Sequence, residues 1–155
     1  MKKTVLSAAI AAALLVPAAS AFAEDAPAAS PLTFNVGIVS DYLFRGISQT
    51  HGEAAFSAGV DYAFSSGFYV GAWASSISWV KDWLGKGSTE LDLYGGYRGA
   101  INSDWSYDVG GIVYSYPKHG DHIETWLANP TTTEVYGAIT WKWLTAKYSQ
   151  TVSPY

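Results

Sequence analysis

The sequence predicts an all-β protein, an antiparallel up-and-down transmembrane β-barrel with about seven strands present in this chain. Three patterns predict this fold. Apolar and polar residues alternate along segments of about ten residues, short turns alternate with long loops, and aromatic residues gather at both strand ends. A soluble ligand-binding β-sandwich is an alternative, because alternation alone does not tell which face of a sheet meets water.

The strands are predicted from alternation with a period of two residues. In the first strand, which runs from Phe34 into SDYLFRGISQT (residues 40–50) as far as Arg45, even positions are mostly apolar and odd positions mostly polar. The same alternation predicts further strands at 56–64, 68–75, 89–98, 105–116, 133–143 and from about 146 onward.

The connections between these strands alternate in length. Short turns are predicted at 65–67, 99–104 and 144–145, and long loops at 46–53, 76–88 and 117–131. Short turns at one end and long loops at the other are typical of outer-membrane barrels, whose strands need about 9 to 11 residues to cross the hydrocarbon layer.

Aromatic residues lie at both ends of the predicted strands. Those beside the short turns are Phe64, Phe68, Trp105, Trp141 and Trp143, and those beside the long loops are Tyr42, Phe44, Phe56, Tyr114 and Tyr116. Amphipathic rings prefer the two interfaces of a membrane, so two such belts favour lipid on the apolar face. Tyr42 and Phe44 are accordingly predicted to face the outer interface.

The N-terminus has the pattern of a secretory signal peptide. Lys2 and Lys3 precede an apolar stretch at 4–16 that is too short to span a membrane, and Ala21-Phe22-Ala23 fits a small-x-small cleavage site. Residues 1–23 are therefore predicted to be removed. A short periplasmic segment at 24–32 and a barrel domain at 33–155 in the bacterial outer membrane would remain.

The composition argues against several classes of protein. Lys and Arg number 9 against 13 Asp and Glu, so no basic surface for nucleic acid is expected. The sequence contains no cysteine, so stability depends on burial and hydrogen bonding rather than on disulfides. No apolar run of about 20 residues follows the signal peptide, which argues against a transmembrane helix.

Four stretches of the chain resemble a known family. SDYLFRGISQT (40–50), YVGAWAS (69–75), ELDLYGGY (90–97) and TEVYGAITWKW (133–143) are together similar to the proteobacterial TorF family, for which a porin role is proposed. The resemblance covers essentially the whole mature chain and implies an outer-membrane barrel. That family has no established catalytic or ligand residues, so the resemblance assigns none to this chain.

The charged residues on the polar faces of the predicted strands are expected to line the barrel lumen: Asp41, Arg45, Asp61, Glu90, Asp92, Arg98, Asp108, Glu134 and Lys142. Asp41 and Arg45 would be about 13 Å apart along one strand, so Asp61 or Glu53 is the expected partner of Arg45. An excess of acids attracts cations. This predicts a passive channel for small hydrophilic solutes or ions, with weak cation preference and no cofactor.

One other function stays open for a barrel. A non-conducting barrel could act as a structural or surface-interaction protein, because a barrel of about eight strands can be filled by its own side chains. An enzyme is disfavoured, because the sequence lacks the nucleophile motif G-x-S-x-G. His119, Asp121, His122 and Glu124 share one long loop, but their spacing matches no standard zinc signature.

An odd number of strands is unexpected, because bacterial single-chain barrels have an even number. Pro154 would also break the ladder of a final strand, and the TorF proteins that the chain resembles are longer. We therefore expect a fragment of a larger barrel, closed by further strands or by another subunit of a homo-oligomer.

Overall fold

The computed structural model describes residues 30–117 and 130–153. In chain order its elements are β1 (Leu32–Val39), β2 (Leu43–Phe44), β3 (Ile47–Ser48), β4 (Ala55–Ala63), β5 (Phe68–Ser76), α1 (Trp79–Leu84), β6 (Thr89–Ala100), β7 (Trp105–Ser115), β8 (Thr132–Trp141) and β9 (Leu144–Thr151). The seven long strands form one antiparallel sheet in the order β1-β4-β5-β6-β7-β8-β9, and β2 pairs with β3. The predicted all-β, up-and-down antiparallel fold is confirmed.

The predicted end of the first strand is wrong. β1 ends at Val39 rather than Arg45, and the chain then turns back on itself to form the β2–β3 hairpin. Arg45 and Gly46 have positive φ angles of 50° and 84°, as the two central residues of a type I′ turn require. The alternation that runs through residues 34–45 therefore belongs to two separate elements.

The last short turn also differs from the prediction. β8 ends at Trp141, which pairs with Leu144 at the start of β9, so the turn consists of residues 142 and 143. Lys142 has a positive φ of 53° and belongs to this turn rather than to a strand. Its predicted place on the lumen face of the sixth long strand is therefore wrong.

The strand register gives the sheet one apolar and one polar face. On the apolar face, side chains of neighbouring strands line up, and Phe34, Val36 and Ile38 of β1 are 74%, 87% and 64% exposed. On the polar face, Glu90 and Glu134 are only 2% and 4% exposed. This distribution is the reverse of that in a water-soluble sheet, which buries its apolar side.

Hydrogen bonds across the polar face show that the sheet curves around it. Tyr69 on β5 shares a hydrogen bond with Tyr136 on β8, although three strand spacings, about 14 Å in a flat sheet, separate these strands. Tyr94 on β6 likewise reaches across β5 to Asp61 on β4, with 2.6 Å between the hydroxyl and a carboxylate oxygen. The polar face is therefore concave, and its side chains contact one another across the curve.

A small apolar cluster lies at the end of the sheet where the long loops are. Ile77 and Val80 are buried there and pack against Tyr42, Trp79 and Tyr116. Helix α1 ends at Leu84 and is capped by Gly85, which has a positive φ of 76° and whose N–H donates a hydrogen bond to the Lys81 carbonyl. None of the helices in residues 30–117 and 130–153 is long and apolar enough to cross a membrane.

Candidate functional site

Residues 41–50, which contain the β2–β3 hairpin, fold back across the polar face at its long-loop end, and we call them the plug segment. The Tyr42 hydroxyl donates a 2.9 Å hydrogen bond to Glu90 on β6. The Tyr42 ring packs edge-on against Trp73 on β5, with 5.5 Å between the centroids. The plug segment therefore begins its crossing over β5 and β6.

The crossing ends at an ion pair on β8. Phe44 packs edge-on against Tyr114 of β7 with 5.5 Å between centroids, and the Arg45 guanidinium donates two hydrogen bonds, of 2.9 and 2.6 Å, to Glu134 of β8. Three extended residues reach about 10 Å, which matches the two strand spacings from β6 to β8. The hydrogen bonds to Glu134 also raise the pKa of Arg45, so its guanidinium stays protonated.

Asp41 organises the base of the plug segment. One of its carboxylate oxygens accepts hydrogen bonds from Ser48 Oγ at 2.6 Å, Thr50 Oγ1 at 3.0 Å and the Gly52 N–H at 3.3 Å. The hydrogen bond from Ser48, the largest contribution, together with the others holds the pKa of Asp41 below its usual value. Because these donors need the ionised form, Asp41 is a structural acceptor within the hairpin.

The base of the plug segment is also attached to the region of α1. The Ser78 N–H donates a 2.9 Å hydrogen bond to the Gln49 carbonyl, and the Gln49 N–H donates a 2.7 Å hydrogen bond to the Tyr42 carbonyl. Gln49 and Thr50 are both buried. The base is therefore fixed on two sides, whereas the tip at Arg45 is held by the ion pair with Glu134.

The structure corrects three expectations about this segment. Tyr42 and Phe44 point into the concave polar side rather than toward an outer interface, and Arg45 pairs with Glu134 instead of Asp61 or Glu53. The reason is the early end of β1. Beyond Val39 the odd and even positions no longer alternate between the faces of the sheet.

The other predicted charged residues divide into two groups. Asp61 and Asp108 accept 2.6 Å hydrogen bonds from the hydroxyls of Tyr94 and Tyr69, and Arg98 lies over the Tyr69 ring at 4.9 Å. Lys142, by contrast, pairs with Asp104 at 3.8 Å between two turns, where both side chains are half exposed.

Asp92 differs from the other acids of the polar face. The residue is 6% exposed, and its Oδ1 atom is buried without a hydrogen-bond partner among the described residues. In the register it lies opposite Trp73 on one side and Tyr114 on the other, both of which contact the plug segment. The interior under the plug segment thus keeps acceptor capacity for a donor or a cation.

The tyrosines of the polar face belong to the candidate site and were missed by the sequence analysis. The Tyr94 ring lies across Gly71, directly opposite it on β5, and a methyl group at residue 71 would overlap that ring. Tyr69 over Gly96 and Tyr136 over Gly110 repeat the arrangement, and Lys147 Nζ lies 3.9 Å from the Tyr136 ring centroid. A glycine opposite a tyrosine on the polar face was the available signal.

The two predicted aromatic belts have different outcomes. The five residues beside the short turns are exposed: Phe64, Phe68, Trp105, Trp141 and Trp143. Beside the long loops only Phe56 of the predicted set is exposed on the apolar face, because Tyr42, Phe44 and Tyr114 face the polar side and Tyr116 packs against the Ile77–Val80 cluster. The outer belt is therefore wrong as predicted.

The described part of the chain contains no group of three or more His, Cys, Asp or Glu that could hold a metal ion. The predicted histidine-rich loop, with His119, Asp121, His122 and Glu124, lies outside the described residues.

Comparison with known proteins gives one match. Residues 24–154 match the family described as "Bacterial protein of unknown function (Gcw_chp)". No curated protein and no solved structure matches the chain. The family match carries no link to the TorF family or to porins, so that part of the expected resemblance stays a prediction.

Proposed function

The chain belongs to this bacterial family of unknown function, and we propose that it is an outer-membrane β-barrel protein that passes small hydrophilic solutes by passive diffusion, with weak cation preference. The resemblance of four stretches to the TorF family supports a porin role. The observation that carries the proposal is the reversed polarity of the sheet.

The apolar face needs a nonaqueous partner. It extends across all seven long strands, and large side chains on it, such as Phe34, Val70, Leu93 and Ile139, are exposed. Water-soluble monomers rarely expose a continuous apolar surface of this extent. Lipid acyl chains would cover it, and the exposed aromatic rim beside the short turns would lie at the membrane interface.

The concave polar face would be the wall of the solute path. Its acids are Asp61, Glu90, Asp92, Asp108 and Glu134, and its cations are Arg45, Arg98 and Lys147. A path with more acids than bases attracts cations and repels anions, which supports weak cation preference. Asp41 and Lys142 contribute little, because one is held within the plug segment and the other lies in an outer turn.

The two edges of the sheet also need partners in lipid. β1 and β9 run in the same direction and do not pair with each other in the described part of the chain. Unpaired backbone groups are strongly disfavoured in hydrocarbon. We propose that further strands, or the edge of another copy, cover β1 and β9 in the membrane.

A non-conducting surface barrel is the second candidate, because tyrosine rings and the plug segment fill part of the concave face. The two candidates are separated by measuring conductance of the full chain in a planar bilayer, with reversal potentials in a KCl gradient. Cation-selective current supports the channel, whereas membrane insertion without current favours the surface protein. Recovery of the full chain as a compact monomer without detergent would contradict both.

A further inference from the structure

We propose that the plug segment closes the long-loop end of the polar interior, and that the Arg45–Glu134 ion pair is the latch that holds it closed. The inference rests on the proposed channel function. Under this inference, Arg45 controls both how much solute passes through the interior and which ion charge is selected.

The plug segment crosses the middle of the concave face, over four of the seven long strands. Tyr42 contacts β5 and β6, Phe44 contacts β7 and Arg45 contacts β8, so four consecutive strands of the sheet are bridged near one end. The partners Trp73, Glu90, Tyr114 and Glu134 all lie near the long-loop ends of their strands. A solute moving along the polar face over these four strands would meet this crossing.

The plug segment is expected to open at the latch, the ion pair between Arg45 and Glu134. The base of the plug segment is fixed by Asp41 and by the backbone hydrogen bond from Ser78 to Gln49, whereas the tip depends on Arg45. Arg45 holds a left-handed backbone conformation that side-chain-bearing residues disfavour, and its side chain is 54% exposed. Loss of the ion pair with Glu134 would remove the contact that offsets the energetic cost of this backbone conformation. The tip would then move away from β8 while the base stays attached.

The latch also sets the charge of the crossing. Arg45 neutralises Glu134 and brings a cation close to an interior that contains Glu90 and Asp92. Removal of the guanidinium would leave the Glu134 carboxylate without its bidentate partner. An open plug segment would therefore pass more current and would select more strongly for cations.

Opening can be measured without any assumption about transport, because the sequence has no cysteine. Thr132 lies opposite Tyr114, against which Phe44 packs, so Thr132→Cys introduces a thiol of similar size beside the tip of the plug segment. Its reaction with a charged methanethiosulfonate reagent in detergent micelles reports access to this position. We expect slow labelling with an intact latch and labelling about tenfold faster or more with Arg45→Gln.

Two further variants make the test specific. Lys142→Gln removes the same charge from the exposed turn pair with Asp104, so labelling and conductance should stay as in the parent protein. The double exchange Arg45→Glu with Glu134→Arg restores an ion pair of opposite polarity and should return labelling toward the slow rate. Circular dichroism of each variant confirms that the sheet is retained.

Planar-bilayer recordings of the same proteins separate the inference from the function on which it rests. Faster labelling together with larger, more cation-selective current in Arg45→Gln supports the latch. An unchanged labelling rate in that variant would overturn the latch, even if the protein conducts. Faster labelling with no current in any variant would overturn the channel and the gating role of Arg45, and would leave a mobile hairpin on a non-conducting barrel.

Discussion

The two faces of the sheet differ in how tightly their side chains are constrained. On the polar face the Tyr94 ring lies across Gly71 to reach Asp61, so a small change of volume disturbs a hydrogen bond. On the apolar face, Gly137 has no atom within 4 Å of the position that its Cβ would take, and Val109 is 49% exposed. At Gly71 a ring and its hydrogen bond limit the volume on the polar side, whereas at Gly137 the apolar side has room for an added methyl group.

The largest loss of folding free energy is expected when a charged side chain is placed on the apolar face. Val109 and Ile112 are aliphatic residues near the middle of β7, but they lie on opposite faces, with Ile112 beside Glu134 in the register. Val109→Lys should cost about 2–4 kcal/mol of folding free energy in a bilayer. Ile112→Lys should insert nearly as well as the parent protein, because its ammonium would face Glu134.

Folding of both variants into liposomes, followed by protease protection and urea titration, checks this prediction. Equal insertion of the Val109 and Ile112 variants would contradict the assignment of the apolar face to lipid.

A smaller effect is expected from single methyl groups on the two faces. Gly71→Ala should destabilise the protein by about 1–3 kcal/mol, because the methyl group displaces Tyr94 from Asp61. Gly137→Ala meets open space and should change stability by less than about 0.5 kcal/mol. Urea midpoints followed by tryptophan fluorescence compare the two variants, and similar losses at both positions would refute the contrast in packing.

The contribution of Asp41 in the plug segment can be tested by measuring stability as a function of pH. Because hydrogen bonds hold the pKa of Asp41 below its ordinary value of 3.8 in the folded protein, ionised Asp41 stabilises the fold above that pH. This contribution is lost as the pH falls below 3.8 through the lowered folded value. The parent protein should therefore be more stable than Asp41→Asn at pH 7, and the difference should shrink in acid. Urea titrations from pH 7 to pH 2.5 measure it; a constant difference would contradict the role of Asp41.

The smallest effect is expected at the exposed turns. Asp104→Asn removes a 3.8 Å ion pair in which both side chains are half exposed, and should change stability by less than about 0.5 kcal/mol. Glu134→Gln makes the same chemical change at a buried carboxylate that is bonded in a bidentate pair, and should cost about 2 kcal/mol even with the half-exposed Arg45 taken into account. Thermal unfolding of both variants in one detergent ranks them, and an equal cost would show that burial does not distinguish the pairs.

The long strands could be predicted from the sequence because a half-buried strand imposes a local rule, the alternation of polarity. That rule places Phe34 and Asp61 on the correct faces, and the adjacent short turns follow from residues such as Gly67, which has a φ of 97°. The rule failed at residues 40–45, where alternation continues although the chain has turned. Gly46 was the available signal, since glycine is favoured at the second central residue of a type I′ turn.

The contacts of the candidate site could not be predicted in the same way. Arg45 and Glu134 are 89 residues apart in sequence, and their pairing depends on how far the sheet curves and where the plug segment crosses it. The tyrosine hydroxyls raise the same difficulty, because Tyr69 meets Tyr136 only after three strand spacings are bent into a concave surface. These contacts depend on how the whole sheet curves. The alternation of polarity along a single strand does not predict that curvature.

The location of the buried apolar residues has a consequence for how the chain would fold. Within the described residues, the buried hydrophobic side chains are Ala55, Tyr69, Ile77 and Val80, too few to drive collapse in water. In the membrane setting proposed above, the exposed apolar face would be buried by lipid rather than by the protein itself. Under that proposal, acquisition of structure and entry into the bilayer would be a single event.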